Sequence, residues 1–217
     1  RSHVVQRDDL GAALHASALE PFRAMRADAA SEGIDIAIAS AFRDFDAQQR
    51  IWDLKYRGER PLYDADGKPR DHAQLDEPQL VEAILCWSAL PGASRHHWGT
   101  EVDVYDRAAM PEGYRLRLLP EEAAAGGVFH QLHQWLDEHM HRYGFYRPYA
   151  TYRGGVLPEP WHLSYAPVSV HATRALTIDV LERTVEASTV LGKAHVLARL
   201  AEIHARYVVS VDVPPAV

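Results

Sequence analysis

The sequence predicts an α+β fold, and three features of the chain lead to it. Ile34-Asp35-Ile36-Ala37-Ile38-Ala39, Thr100-Glu101-Val102-Asp103-Val104-Tyr105 and Trp161-His162-Leu163-Ser164-Tyr165 read as short strands, the first two by their period-two alternation. Longer stretches between them carry apolar residues three and four apart, the spacing of a helix with one buried face. After Tyr165 the pattern becomes almost wholly helical.

The elements follow in order. Residues 9–32 read as a helix starting near Asp8 or Asp9, with Leu10, Leu14, Phe22, Met25 and Ala29 as core positions. Pro21 is expected to kink or split it. Gly33 ends it, and the strand over 34–39 delivers Arg43 at its exit. Residues 45–57 form a helix carrying Gln48, Ile51, Trp52 and Leu54. The segment 58–75, with Gly, Pro, Asp and charged residues, is long enough to serve as a flap. A helix over 76–89 includes Cys86 and stops before Pro91-Gly92. A short strand is expected at Tyr114–Leu118 and a helix at 127–143. Residues 145–158 are turn-rich and aromatic. Helices over 168–187 and 191–205 and a last strand, Tyr207-Val208-Val209-Ser210-Val211, complete the chain. The apolar spacing of Ala175, Ile178, Leu181 and Val185 suggests docking onto the core or onto a second subunit.

With 217 residues, 47% hydrophobic and 24% charged, the chain has the composition of one globular domain with an appended element. No run approaches the roughly 20 apolar residues of a membrane helix. A net charge of −7 argues against nucleic acid as a partner, because phosphate binding needs clustered Lys and Arg. Cys86 is the only cysteine, which excludes an intrachain disulfide. Arg1-Ser2-His3 is compatible with a cloning remnant, and a removed export signal would leave no trace.

Two stretches carry the chemistry: Ser94-Arg95-His96-His97-Trp98-Gly99-Thr100-Glu101-Val102-Asp103 and Glu159-Pro160-Trp161-His162. They offer two imidazoles and a carboxylate for a metal and a second carboxylate for proton transfer, the donor types of a catalytic zinc. Pro160 keeps the second stretch out of a helix interior, so this is not the helical H-E-x-x-H arrangement. Gly99 permits a tight reversal before the strand, and Glu101 and Asp103, two apart, share a face. His130, His133, His139 and His141 form a dense second set, read as exposed helical histidines in preference to a second metal site.

The pattern S-x-H-x-x-G-x-x-x-D followed by E-P-W-H resembles the LAS metallopeptidases, which include the D-alanyl-D-alanine carboxypeptidases of the vancomycin-resistance type and the hedgehog signalling domain. Ser40-Ala41-Phe42-Arg43-Asp44-Phe45-Asp46-Ala47-Gln48 resembles that family's S-x-Y-R-S-x-x-x-Q segment. The resemblance implies a small antiparallel sheet carrying the zinc site and flanked by helices. It implies Zn2+ on His96, Asp103 and His162, with Glu159 as general base and Arg43 as clamp for a terminal carboxylate. Ser94 and Gln48 would assist substrate binding, and His97 would pack or support. Glu101 stands where the family often has a small residue; it either lines the pocket, attracting an amine of the substrate stem or pairing with an arginine, or faces water.

On this reading residues 4–166 are the catalytic domain, and 167–217 are an extension docked on it. The activity implied is hydrolysis of peptidoglycan stem peptides outside the cytoplasm, foremost removal of the terminal D-alanine. The alternatives are an endopeptidase or L,D-carboxypeptidase with the same zinc core, or a non-catalytic zinc-bearing binding module. Oligomeric state is not legible.

Overall fold

The computed structural model describes residues 2–215. It opens on a hairpin absent from the sequence reading, in which β1 (Val4–Arg7) pairs antiparallel with β2 (Ala12–His15). Helix α1 (Ala16–Ser31) therefore begins at Ala16 rather than near residue 9. Pro21 falls early in this shorter helix, which gives up one N–H bond and runs on unbroken. Phe22, Met25 and Ala29 are buried along its inner face, as expected.

Strand β3 (Ile36–Ser40) leads to α2 (Phe45–Tyr56), whose first turn is capped by the Asp44 carboxylate accepting from the Ala47 N–H at 2.9 Å. The segment read as a flap folds into a small hairpin of β4 (Leu62–Tyr63) and β5 (Pro69–Arg70). Asp76 and Gln79 form a reciprocal cap at the start of α3 (Glu77–Leu85). Strand β6 (Glu101–Asp106) is followed by a short α4 (Pro120–Ala123), α5 (His130–His139), β7 (Phe145–Tyr146) and β8 (His162–Tyr165). Helices α6 (Ala166–Ala175), α7 (Ile178–Glu186), α8 (Lys193–Ala198) and α9 (Leu200–Ile203) complete the order.

The main sheet has strand order β3-β6-β8-β7, and every pair is antiparallel. Alternation splits its residues between two faces. Val102, Val104 and Leu163 pack with Phe22, Ile36, Leu132, Leu136 and Phe145 into one core. Glu101, Asp103, His162 and Ser164 take the other face. This is the α+β architecture that the sequence predicts.

A second core joins α2 and α3 to the C-terminal helices. Trp52, Val81, Ile84 and Leu85 pack with Leu181, Val185, Val196, Leu200 and Ile203. The Trp52 indole N–H also donates to the Leu191 carbonyl at 3.0 Å. The Glu82 carboxylate accepts from Arg206 Nη2 at 2.6 Å and from the Tyr207 hydroxyl at 2.7 Å. Gly155 lets the backbone of 206 approach, since a Cβ there would lie 1.9 Å from the Arg206 carbonyl oxygen.

Two expected strands do not form. Residues 204–208 wind as a π-helical turn, with Tyr207 and Val208 buried in the second core, in place of the strand read over 207–211. The segment 114–118 has no ladder, because the Glu122 carboxylate takes the Arg117 and Leu119 N–H groups at 3.1 and 3.2 Å. The Tyr114 hydroxyl donates to the same carboxylate at 2.7 Å.

Because α7 completes a core begun by α2 and α3, Leu181→Ala should cost about 2–5 kcal/mol and lower a single melting transition by roughly 5–15 °C. A separate, lower transition in calorimetry would instead mean that the C-terminal helices fold by themselves.

Candidate metal centre and its cavity

His96 arrives on the 3₁₀ turn Arg95–Trp98, which ends at Gly99 with φ +71°. A Cβ at Gly99 would lie 2.3 Å from Val4 Cγ1 and 3.0 Å from the His15 nitrogen, so only glycine fits. The crowding comes from the β1–β2 hairpin, whose His15 N–H donates to the Gly99 carbonyl at 2.7 Å. The hairpin thus braces the turn that presents His96.

Asp103 on β6 lies directly opposite His162 on β8, and opposite Ser40 on its other side. The ligand atoms of His96, Asp103 and His162 all lie within 4.8 Å of one another, and all three residues are buried. His96 Nε2 is 3.4 Å from Asp103 Oδ2, and His162 Nδ1 is 3.0 Å from Asp103 Oδ1.

The outer nitrogen of each ring is already engaged. His96 Nδ1 lies 2.7 Å from the Ala41 carbonyl, which can only accept, so this nitrogen carries the proton. His162 Nε2 donates to Glu101 Oε2 at 2.8 Å. In the neutral rings, His96 Nε2 and His162 Nδ1 therefore turn lone pairs toward the Asp103 carboxylate. Asp103 Oδ1 has no well-aligned donor although it is buried, a condition that costs about 1–3 kcal/mol unless something positive satisfies it. Burial resists charge on His162, yet Asp103 and Glu101 pull its pKa up to about 10. Burial, with Arg43 adding to it, pushes His96 down to about 3. A divalent cation that displaces the His162 Nδ1 proton would meet three buried acceptors, His96 Nε2, Asp103 and His162 Nδ1, a donor set that fits zinc.

Glu101 has neither of the two positions expected from sequence. It is fully buried behind His162, away from both cavity and solvent. Its Oε2 meets Arg95 Nε at 3.3 Å as well as His162, and its Oε1 accepts from Ser164 at 2.8 Å and Thr100 at 2.9 Å. The carboxylate is saturated, with nothing left for a substrate amine. Burial raises its pKa, but Arg95 and His162 overcome this and hold it at about 2. Arg95 also donates to Thr173, Tyr146 and Ser164 at 2.9, 3.1 and 2.8 Å. The sequence reading overlooked Arg95; its place between two motif positions gives no signal of burial.

Glu159 sits in the loop before β8, its N–H fixed on the Tyr149 carbonyl at 2.9 Å. Its Oε2 is 3.5 Å from His162 Nδ1. Burial lifts its pKa to about 7; His162 opposes the rise and Asp103 reinforces it. Arg43 reaches the same cavity with a buried Nε that meets no acceptor among the described residues. Its backbone is fixed by His97, whose Nδ1 donates to the Arg43 carbonyl at 2.7 Å while its Nε2 accepts from the Gly92 N–H at 3.1 Å. His97 is thus turned away from the ligand set.

The cavity measures about 420 Å³ and is bounded by His96, Asp103, Glu159, His162, Arg43 and Ser94. Gln48 is not on its wall; its amide donates to the Ala89 carbonyl at 2.8 Å and steadies a residue that is. Trp87 and Trp161, stacked 6.3 Å apart, supply an apolar wall. Lys55, Arg60 and Tyr63 complete a side whose residues the sequence does not single out, although Arg60 and Tyr63 fall in the segment 58–75 read as a flap. Lys55 follows Ile51 by one helical turn on α2, the only signal available. Among the described residues, no other group of three His, Cys, Asp or Glu gathers in this way. His133 is buried beside Arg147 rather than exposed, and His139 stacks on Trp135 at 4.5 Å.

Sheet and site together define a zinc-peptidase type of centre, and comparison with known proteins gives the family. Residues 11–168 match the VanY family, described as D-alanyl-D-alanine carboxypeptidase, and the chain belongs to it. An uncharacterized protein of Haemophilus influenzae is 34% identical over 128 residues, 58% of this chain and 95% of that protein. A D-alanyl-D-alanine carboxypeptidase of Enterococcus faecalis is 30% identical over 150 residues, 68% of this chain but 44% of the relative's length. Two solved structures are similar at 25% identity. One is a mutant of the vancomycin resistance D,D-pentapeptidase VanY in complex with Zn(II), with a TM-score of 0.52 over 77% of this chain and 82% of that one. The other is VanYB in complex with D-alanine-D-alanine, with a TM-score of 0.53 over 86% and 89%.

Proposed function

We propose that the protein is a zinc-dependent peptidase that removes the terminal D-alanine from peptidoglycan stem peptides, acting outside the cytoplasm. The observation that carries this reading is the convergence of His96 Nε2, Asp103 and His162 Nδ1 as buried acceptors beside Glu159 and Arg43. Membership of the VanY family supports it, as do the Zn(II) and D-alanine-D-alanine complexes of similar structures. No helix among the described residues is long and apolar enough to cross a membrane.

His96, Asp103 and His162 would hold the zinc. When bound, zinc supplies a Lewis acid that makes water a nucleophile near neutral pH and polarises the scissile carbonyl. Glu159, raised to about 7, takes the proton from the attacking water and passes it to the departing amine. Arg43 offers its guanidinium fork to the free carboxylate of the terminal residue. That preference favours trimming over cleavage within a chain. A base positioned beside the ligands argues against a module that binds without hydrolysis.

Glu101 would act from behind His162. By accepting from His162 Nε2 it fixes the tautomer that turns Nδ1 to the ion, and Arg95 keeps that carboxylate ionised.

Metal analysis should find about one zinc per chain, and Glu159→Gln should retain it while kcat falls by about 10²–10⁴. Full turnover after exhaustive chelation would end the zinc assignment. Arg43→Gln should weaken kcat/KM for peptides with free C-termini by about tenfold or more; an equal loss on C-terminally amidated peptides would remove the clamp. Glu101→Gln should loosen zinc by about 10–100-fold in competition with a chelating dye. Unchanged affinity would leave Glu101 with a packing role only.

A further inference from the structure

The cavity holds more positive charge than one terminal carboxylate can balance. Arg43, Lys55 and Arg60 all line it, and none forms an ion pair among the described residues. The other two arginines on its wall are already matched, Arg95 by Glu101 at 3.3 Å and Arg117 by Glu121 at 2.5 Å. Against three unmatched cations stand two carboxylates, Asp103 and Glu159. A bound divalent ion would leave an excess of three positive charges, and a peptide's terminal carboxylate would cancel only one.

The placement of these cations is specific. Lys55 donates to Ser88 Oγ at 2.7 Å, which orients its ammonium and leaves two further donors. Burial lowers its pKa to about 8 against the pull of Glu159, so it stays cationic at neutral pH. Arg60 is exposed at the chain's exit from α2, beside the β4–β5 hairpin, whose Tyr63 also lines the cavity. Lys55, Arg60 and Arg43 feel one another's charge, so they border a common space. Three like charges brought together with no ion-pair partner among the described residues cost stability unless the ligand supplies the anions.

We propose that Lys55 and Arg60 form a second carboxylate subsite, separate from the terminal clamp at Arg43, and that the preferred substrate is a peptide carrying a side-chain carboxylate near its scissile bond. This rests on the peptidase reading and narrows it to a dianionic substrate class. The carboxylate meets the Lys55 ammonium and the Arg60 fork in the cavity that Tyr63 also lines.

The test uses two synthetic peptides, acetyl-X-D-Ala-D-Ala, in which X is a diamino dicarboxylic acid with its side-chain carboxylate either free or amidated. The zinc-loaded protein should hydrolyse the free acid with kcat/KM about 10–100-fold above the amide, the range of a charged hydrogen-bonded contact. Arg60→Gln, at an exposed position that folding tolerates, and Lys55→Gln should each bring that ratio toward one. A wild-type ratio near one, or a ratio that survives both substitutions, overturns the subsite. Calorimetric Kd values for the same two peptides separate the two hypotheses. If neither peptide is cleaved, the peptidase reading fails, and the Kd ratio still decides whether the second carboxylate is recognised.

Discussion

The pairing of β6 with β8, which sets Asp103 beside His162, is the constraint on which the rest of the site depends. Antiparallel neighbours in register share a face, so two residues far apart in the chain meet without any loop having to place them. The same register puts Ser164 beside Glu101, and the carboxylate behind the histidine is fixed by the ladder that fixes the ligand. A slip of β8 by one residue would send His162 and Ser164 into the apolar core and Leu163 into the cavity. The hydrophobic face therefore enforces the chemistry of the polar one.

Behind that face lies a buried ion pair, Arg95 with Glu101. Such pairs add little to net stability, since desolvation offsets most of their attraction. Here every polar atom of the cluster is used by Thr100, Ser164, Tyr146, Thr173 or His162. The arrangement sets the direction of one imidazole. His96 is oriented more simply, by the Ala41 carbonyl, and the two rings meet edge to face at 4.9 Å.

Two cores hold this surface from opposite sides. The first, under α1, the sheet and α5, keeps the strands in register. The second, shared by α2, α3 and the C-terminal helices, keeps Lys55 and the ends of the cavity's other wall in place. The cationic side of the cavity thus stands on an element whose burial the C-terminal helices complete. Trp52 links the two structurally, packing in the second core while its indole reaches the Leu191 carbonyl.

The sequence by itself determined the motif residues, the strands that carry them and most helices, because these depend on local period and on donor types at short spacing. Gly99 was legible as a turn, although its necessity comes from Val4 in a hairpin that periodicity concealed. Tertiary structure decided the rest. The valines at 208, 209 and 211 favour a strand by propensity, but no sheet edge meets them, and Tyr207 and Val208 bury more by winding against Glu82 and α3. Residues 114–118 lost their ladder to one buried carboxylate. Glu101 shows the limit most clearly. Strand alternation gave its face correctly, but only the approach of Arg95, His162 and Ser164 from three other parts of the fold made that face an interior one, since burial is a property of what packs against a residue and not of its neighbours in the chain.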